Sequence, residues 1–195
     1  MKIDIILAGV GGQGILSIAA TIGMAALQNN LYLKQAEVHG MSQRGGDVQS
    51  HLRLSDKPIA SDLIPLGSAD LIISVEPMES LRYLQFLSPT GWLVTNTEPF
   101  NNISNYPDME ELLKEIQKFP NHIALNANEI AKNIKSPMSS NIVMLGAASP
   151  FIAIEFSNFE KGINEIFGKK GETVVNVNLE ALRLGRAVAE EQIKK

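Results

Sequence analysis

With 195 residues, 45% of them hydrophobic, the chain has enough apolar material for one domain with a sizeable core. Its formal net charge of −4 gives no support to a nucleic-acid groove or to an anionic membrane surface as partner. It has no cysteine, which excludes a disulfide, a thiolate nucleophile, a zinc-finger site and a conventional iron–sulfur cluster held by this chain alone.

Residues 3–8 form a short, largely apolar run, as expected of a buried parallel strand, and end in a glycine turn. Ile15, Ile18, Ala19, Ile22 and Ala26 then recur at helical spacing, which predicts a helix over residues 12–28, stopped by Asn29 and Asn30. Residues 31–38 read as a second strand. After a polar loop over residues 39–46, Val48, Ser50, Leu52 and Leu54 share one face of an alternating strand, closed by a turn at Asp56, Lys57 and Pro58. Residues 70–75 are the next strand; Glu76 and Pro77 follow, then a helix carrying Leu81, Leu84, Phe86 and Leu87. Residues 91–96 read as strand and 101–107 as loop. Residues 109–119 form an amphipathic helix ended by Pro120. A short strand at 123–125 and helices over 127–134, 141–148, 158–167 and 179–193 complete the chain.

This alternation predicts a single α/β domain over residues 1–195, a three-layer, mostly parallel, Rossmann-like sheet covered on both faces. No apolar run approaches the roughly 20 residues that span a bilayer. Asp4 and the early glycines spoil a signal-peptide pattern, so a cytoplasmic location is expected.

The turn after the first strand matches G-x-G-x-x-G at Gly9, Gly11 and Gly14, between a strand and a helix start, where an anion is favoured. Glu37, 23 residues beyond Gly14, is a nominal match to the acid that a dinucleotide site requires at the end of its second strand. Gly12 and Gln13, however, put a bulky polar side chain at the mouth of the turn. Three readings stand: a nucleotide or similar anion, a turn that packs against a partner protein, and a packing turn with no ligand.

The second chemistry-bearing stretch is Glu37-Val38-His39-Gly40-Met41-Ser42-Gln43-Arg44-Gly45-Gly46. Three glycines allow the backbone to fold tightly, and a loop this polar is a poor core element. Arg44 offers a planar fork of donors suited to phosphate or carboxylate; its plainer reading is a surface charge or a structural clamp. His39 reads as a hydrogen-bonding residue at a strand end or as a contact to substrate, coenzyme or partner. Ser42 has no assignable general base, so it is a hydrogen-bonding residue, not a nucleophile. Gln13 and Gln43 are candidates to satisfy backbone groups in their turns. Glu76 lies at the strand edge where α/β sheets bind ligands and equally suits a helix start with Pro77 at its first position.

Read together, Gly9 to Ile15 and Glu37 to Gly46 resemble the 2-oxoacid:ferredoxin oxidoreductase family. Within it they are most similar to the β subunits of its indolepyruvate branch, equivalent to the γ subunit or domain of the pyruvate and 2-oxoglutarate enzymes. Asn141-Ile142-Val143-Met144-Leu145-Gly146-Ala147 resembles a later segment of the same family.

The resemblance implies an accessory subunit with no catalytic residue of its own. A large α subunit would hold thiamine diphosphate, Mg²⁺ and [4Fe–4S] clusters. The complex would oxidatively decarboxylate a 2-oxoacid to an acyl-coenzyme A and pass electrons to ferredoxin, which this chain would meet only indirectly. Coenzyme A would come near this domain. Gly9, Gly11, Gly12, Gln13, Gly14, His39, Met41, Ser42, Gln43, Arg44, Gly45 and Gly46 are the expected ligand- or partner-binding residues, with no metal ligand among them. The sequence agrees with this division: it lacks cysteine, and its Gly46-Asp47 pair continues as Val48-Gln49, not as the Gly-Asp-Gly motif that helps bind the thiamine cofactor's magnesium diphosphate. An independent Rossmann-like nucleotide-binding oxidoreductase is the alternative.

Overall fold

The computed structural model describes residues 1–39, 45–101 and 103–194, with His39 described in its backbone alone. One six-stranded sheet runs in the order β2-β3-β1-β4-β5-β6. Its strands are β1 (Lys2–Val10), β2 (Tyr32–His39), β3 (Asp47–Ser55), β4 (Ala69–Ser74), β5 (Leu87–Asn96) and β6 (His122–Leu125). The pairs β1/β4, β4/β5 and β5/β6 are parallel, whereas β3 runs antiparallel to both β1 and β2. The sheet is therefore mostly parallel, with one reversed strand inserted between β1 and β2.

β1 is buried from its second residue onward, which explains its nearly unbroken apolar run. Its side chains alternate between two cores: Ile3, Ile5 and Leu7 on one face, Ile6 and Ala8 on the other. The first face carries α1 (Ile15–Gln28) and α5 (Ser140–Ala148), flanked by α4 (Ala127–Asn133). Outside them α6 (Phe156–Phe167) packs on α1 and α7 (Glu172–Ile193) on α5. Every residue of α5 after Ser140 is buried, since the helix lies between the sheet and α7. The second face carries α2 (Pro77–Arg82), α3 (Met109–Gln117) and the 56–68 connection, whose Ile64 is in its core.

α5 and α7 pack backbone against backbone. A Cβ on Gly146 would lie 2.0 Å from the Leu182 carbonyl oxygen, and one on Gly185 would lie 1.9 Å from that of Val143. Only glycine lets these backbones touch.

α2, β5 and α7 differ most from the sequence reading. The helix after Pro77 stops at Arg82, followed by a single 3-10 turn at Leu84–Phe86, and Leu87 begins β5. Pro89 lacks an N–H and disfavours helix at Ser88, which suits the extended start of β5 but does not account for the earlier stop at Arg82. α7 begins at Glu172, not at residue 179, because packing overrides the low helix propensity of Thr173, Val174 and Val175.

Candidate functional site

The strand ends converge on a topological switch point. β1 hands the chain to α1 on one face, and its parallel neighbour β4 hands it to α2 on the other. In open α/β sheets the crevice between two such strands is the usual ligand site. Here Gln13 bridges it. Its Oε1 accepts the Val10 N–H at 2.7 Å, and its Nε2 donates to the Val75 carbonyl at 3.5 Å. Gly9 is needed for space beneath this bridge, since its Cβ would lie 2.4 Å from Val75 Cγ2 and 3.0 Å from Gln13 Oε1.

The other glycines shape the rim. Gly12, at φ +102°, has nothing within 4 Å of where its Cβ would stand, so it is a bare backbone corner. Gly14 adopts φ +81° just before α1 and faces Asn141, whose Nδ2 donates to the Gly14 carbonyl at 2.9 Å. The Gly11 N–H donates to the Gly46 carbonyl at 2.9 Å, which ties the turn to the far end of the 39–46 loop. Gly45 is also left-handed, at φ +80°. The sequence-predicted Gly40, Met41, Ser42, Gln43 and Arg44 lie outside the described residues, as does the side chain of His39.

α1 has no side-chain cap and no acid in its first turn. The N–H groups of Gly12, Gly14 and Ile15 find no acceptor among the described residues. The adjacent Gly14 and Ile15 donors at a helix start favour an anion. Two depressions flank this corner. One, of about 390 Å³, is lined by Ser17, Ser136, Ser139, Ser140, Asn141 and Lys170 together with the turn. The other, of about 300 Å³, runs past Gly11, Ile15 and Leu16 to Glu37 and Val48.

Glu37 does not stand where a dinucleotide site requires it. Its strand is separated from β1 by β3, and Glu37 pairs with Ser50. Glu37 still lines the depression that starts at the glycine turn, but from one strand further out than a ribose-binding acid would occupy.

Beside the turn lies a carboxylate network that sequence reading reached only through Glu76. Glu76 is fully buried and caps α2, its Oε2 accepting the Glu79 N–H at 2.9 Å, with Pro77 first in the helix. Its Oε1 accepts the Phe100 N–H at 3.3 Å and the Tyr106 hydroxyl, and so anchors the connection leading to α3. Burial and this carboxylate push the Tyr106 hydroxyl pKa up. Burial also raises the Glu79 carboxyl, against the opposing pull of Arg82, whose Nε donates to it at 2.8 Å. Tyr83 donates to Asp47 at 3.0 Å, which occupies the one Gly-Asp pair of the chain in packing. With no cysteine in the sequence, this chain has no thiolate to offer an iron–sulfur cluster, and among the described residues no group of three His, Asp or Glu side chains could hold a metal ion.

The model of the pyruvate ferredoxin/flavodoxin oxidoreductase family matches residues 4–188. The chain belongs to this family. It is a γ-type subunit of a 2-oxoacid:ferredoxin oxidoreductase. It is 36% identical to the indolepyruvate oxidoreductase subunit IorB of Archaeoglobus fulgidus, covering 95% of this chain and 94% of that protein. The 2-oxoglutarate:ferredoxin oxidoreductase of Magnetococcus marinus, solved with 2-oxoglutarate, coenzyme A and succinyl-CoA bound, superposes with a TM-score of 0.76 at 25% identity. That match covers 97% of this chain and 31% of the longer one, so the present chain spans less than a third of its length. The keto/oxoacid ferredoxin oxidoreductase γ subunit of Geobacter sulfurreducens shares the fold, with a TM-score of 0.71, 21% identity and 98% of both chains covered. No helix among the described residues is long and apolar enough to cross a membrane.

Proposed function

We propose that this chain is the small subunit of an indolepyruvate or related aryl-pyruvate:ferredoxin oxidoreductase of the cytoplasm. A large partner subunit supplies thiamine diphosphate, Mg²⁺ and [4Fe–4S] clusters; the complex converts the 2-oxoacid to its acyl-coenzyme A and passes the electrons to ferredoxin. The observation that carries this reading is the 36% identity to an indolepyruvate oxidoreductase subunit over nearly the full length of both chains. The glycine turn faces the partner and coenzyme A, and His39, Met41, Ser42, Gln43 and Arg44 are further candidate contacts by residue type. The free N–H groups of Gly12, Gly14 and Ile15 suit the coenzyme's diphosphate. The alternative, an independent nucleotide-binding oxidoreductase, is less well supported. Gln13 fills the crevice such a cofactor requires, and Glu37 stands on the wrong strand.

The test is co-purification with the large subunit, followed by 2-oxoacid-dependent reduction of ferredoxin with indolepyruvate, phenylpyruvate and pyruvate. The expected result is activity in the complex alone, strongest with the aryl substrates. Activity of the isolated chain supplied with thiamine diphosphate and coenzyme A overturns the subunit role. A preference of the complex for pyruvate overturns the substrate assignment.

A further inference from the structure

Asn141 stands at the start of α5, yet its side chain works on a turn 127 residues away in sequence. It is nearly buried, and both ends of its carboxamide are used: Nδ2 donates to the Gly14 carbonyl at 2.9 Å, while Oδ1 accepts the Ile142 N–H at 2.9 Å. The helix that carries it is held in place, clamped between the sheet and α7 with glycine backbones in contact at Gly146 and Gly185. Gly14 closes on the same amide, since a Cβ there would lie 2.5 Å from Asn141 Nδ2.

The Gly14 carbonyl also accepts the Ser17 N–H at 3.0 Å, so two donors fix its direction. That carbonyl and the Ile15 N–H belong to one planar trans peptide, in which C=O and N–H point opposite ways. Holding the carbonyl therefore aims the Ile15 N–H out of the start of α1, away from Asn141. Without Asn141 this peptide loses its side-chain donor and is held by the backbone of α1, through the Ser17 bond and the helix start itself.

We infer that Asn141 is a positioning residue of the glycine turn, aiming the Ile15 N–H at the anionic group the turn receives. The inference rests on the proposed function in taking that group to be the diphosphate of coenzyme A. Asn141 itself touches no reacting atom. Its effect is expected in the affinity for coenzyme A and not in the chemistry carried by the partner subunit.

The experiment compares complexes of the large subunit with wild-type, Asn141→Ser, Asn141→Asp and Gly12→Asp chains. Serine keeps an acceptor near Ile142 but is too short to reach Gly14. Aspartate keeps the shape and loses the donor. Gly12→Asp places a negative charge in open space on the corner itself. Both Asn141 variants are expected to raise the Michaelis constant for coenzyme A about tenfold. The Michaelis constant for the 2-oxoacid and kcat at saturating coenzyme A should stay within about twofold. Gly12→Asp is expected to raise the coenzyme A constant by at least as much.

If Gly12→Asp raises that constant and the Asn141 variants leave it unchanged, the turn binds coenzyme A but Asn141 does not aim it, and the inference fails. If Gly12→Asp leaves it unchanged as well, the assignment of coenzyme A to the turn fails. If the Asn141 variants do not assemble, or lose kcat, both Michaelis constants and melting temperature together, Asn141 is a structural residue only and the inference is overturned.

Discussion

Two pairs of glycines occupy this molecule for opposite reasons. Gly146 and Gly185 sit in regular helices, and what forbids a side chain there is a neighbouring carbonyl oxygen about 2 Å from where its Cβ would stand. Gly12 and Gly14 sit in the turn at φ +102° and +81°, where the backbone conformation itself is the demand. Around Gly12 space is open; around Gly14 it is filled by the Asn141 amide. A glycine required by contact marks a packed core, whereas one required by φ with empty space beside it marks backbone left accessible to something outside the chain. The pairs are linked, because α5 carries Gly146 in its middle and Asn141 at its start.

The largest effect expected from this comparison is on the helix pair. Gly146→Ala or Gly185→Ala should force α5 and α7 apart and destabilise the fold by about 2 kcal/mol, after the gain in helix propensity. For a chain of this size that is roughly 4–8 °C in melting temperature. Thermal unfolding measures it. A rise in melting temperature, which alanine would give in an unobstructed helix, would break the comparison at its first term.

Gly14→Ala should fall between the two classes, since it meets both the left-handed φ and the Asn141 amide. A loss of about 1–2 kcal/mol is expected, with weaker binding of coenzyme A to the assembled complex. Gly12→Ala has the φ penalty alone and should cost about 1 kcal/mol in the isolated chain. Its larger consequence should appear in assembly or coenzyme affinity. If Gly12→Ala binds and assembles like wild type, the open corner is unused, and the distinction between packed and presented glycines has no functional content.

The smallest effect lies on the opposite face of the sheet and serves as a control. His51 accepts the Ile64 N–H at Nδ1, at 2.9 Å, and meets the edge of Phe86 with ring centres 5.2 Å apart. Burial, then the charge of Arg53, lowers its pKa below the ordinary 6.5. The unfolded chain therefore takes up the proton first as pH falls. The His51 contribution to stability is complete above about pH 6.5, declines below it, and levels off once the folded pKa is passed. Melting temperatures across this window, with an NMR titration of the imidazole, check the sign. The glycine variants should show the same pH slope as wild type, because neither pair touches His51.

Much of the fold was legible because its signals are local. The apolar run of β1, the G-x-G-x-x-G spacing and the helical recurrence through Ile15, Ile18 and Ile22 lie within the first 22 residues and specify strand, turn and helix by periodicity alone. The absence of cysteine ruled out a cysteine-held cluster in this chain without any coordinates. The choice of the glycine turn and of residues 39–46 as candidate binding segments came from residue type.

The tertiary structure decided what distant segments do to one another. Nothing local says that β3 inserts between β1 and β2, and that insertion is what moves Glu37 off the dinucleotide position. Strand neighbours are chosen by long-range pairing and burial, not by order in the chain. The start of α7 was hidden by Thr173, Val174 and Val175, whose weak helix preference is outweighed by packing on α5. Asn141 had a sequence signal only in its family resemblance. Its bond to Gly14 exists because the sheet, α5 and α7 together bring the start of α5 within 3 Å of the glycine turn, and periodicity carries no information about contacts of that range.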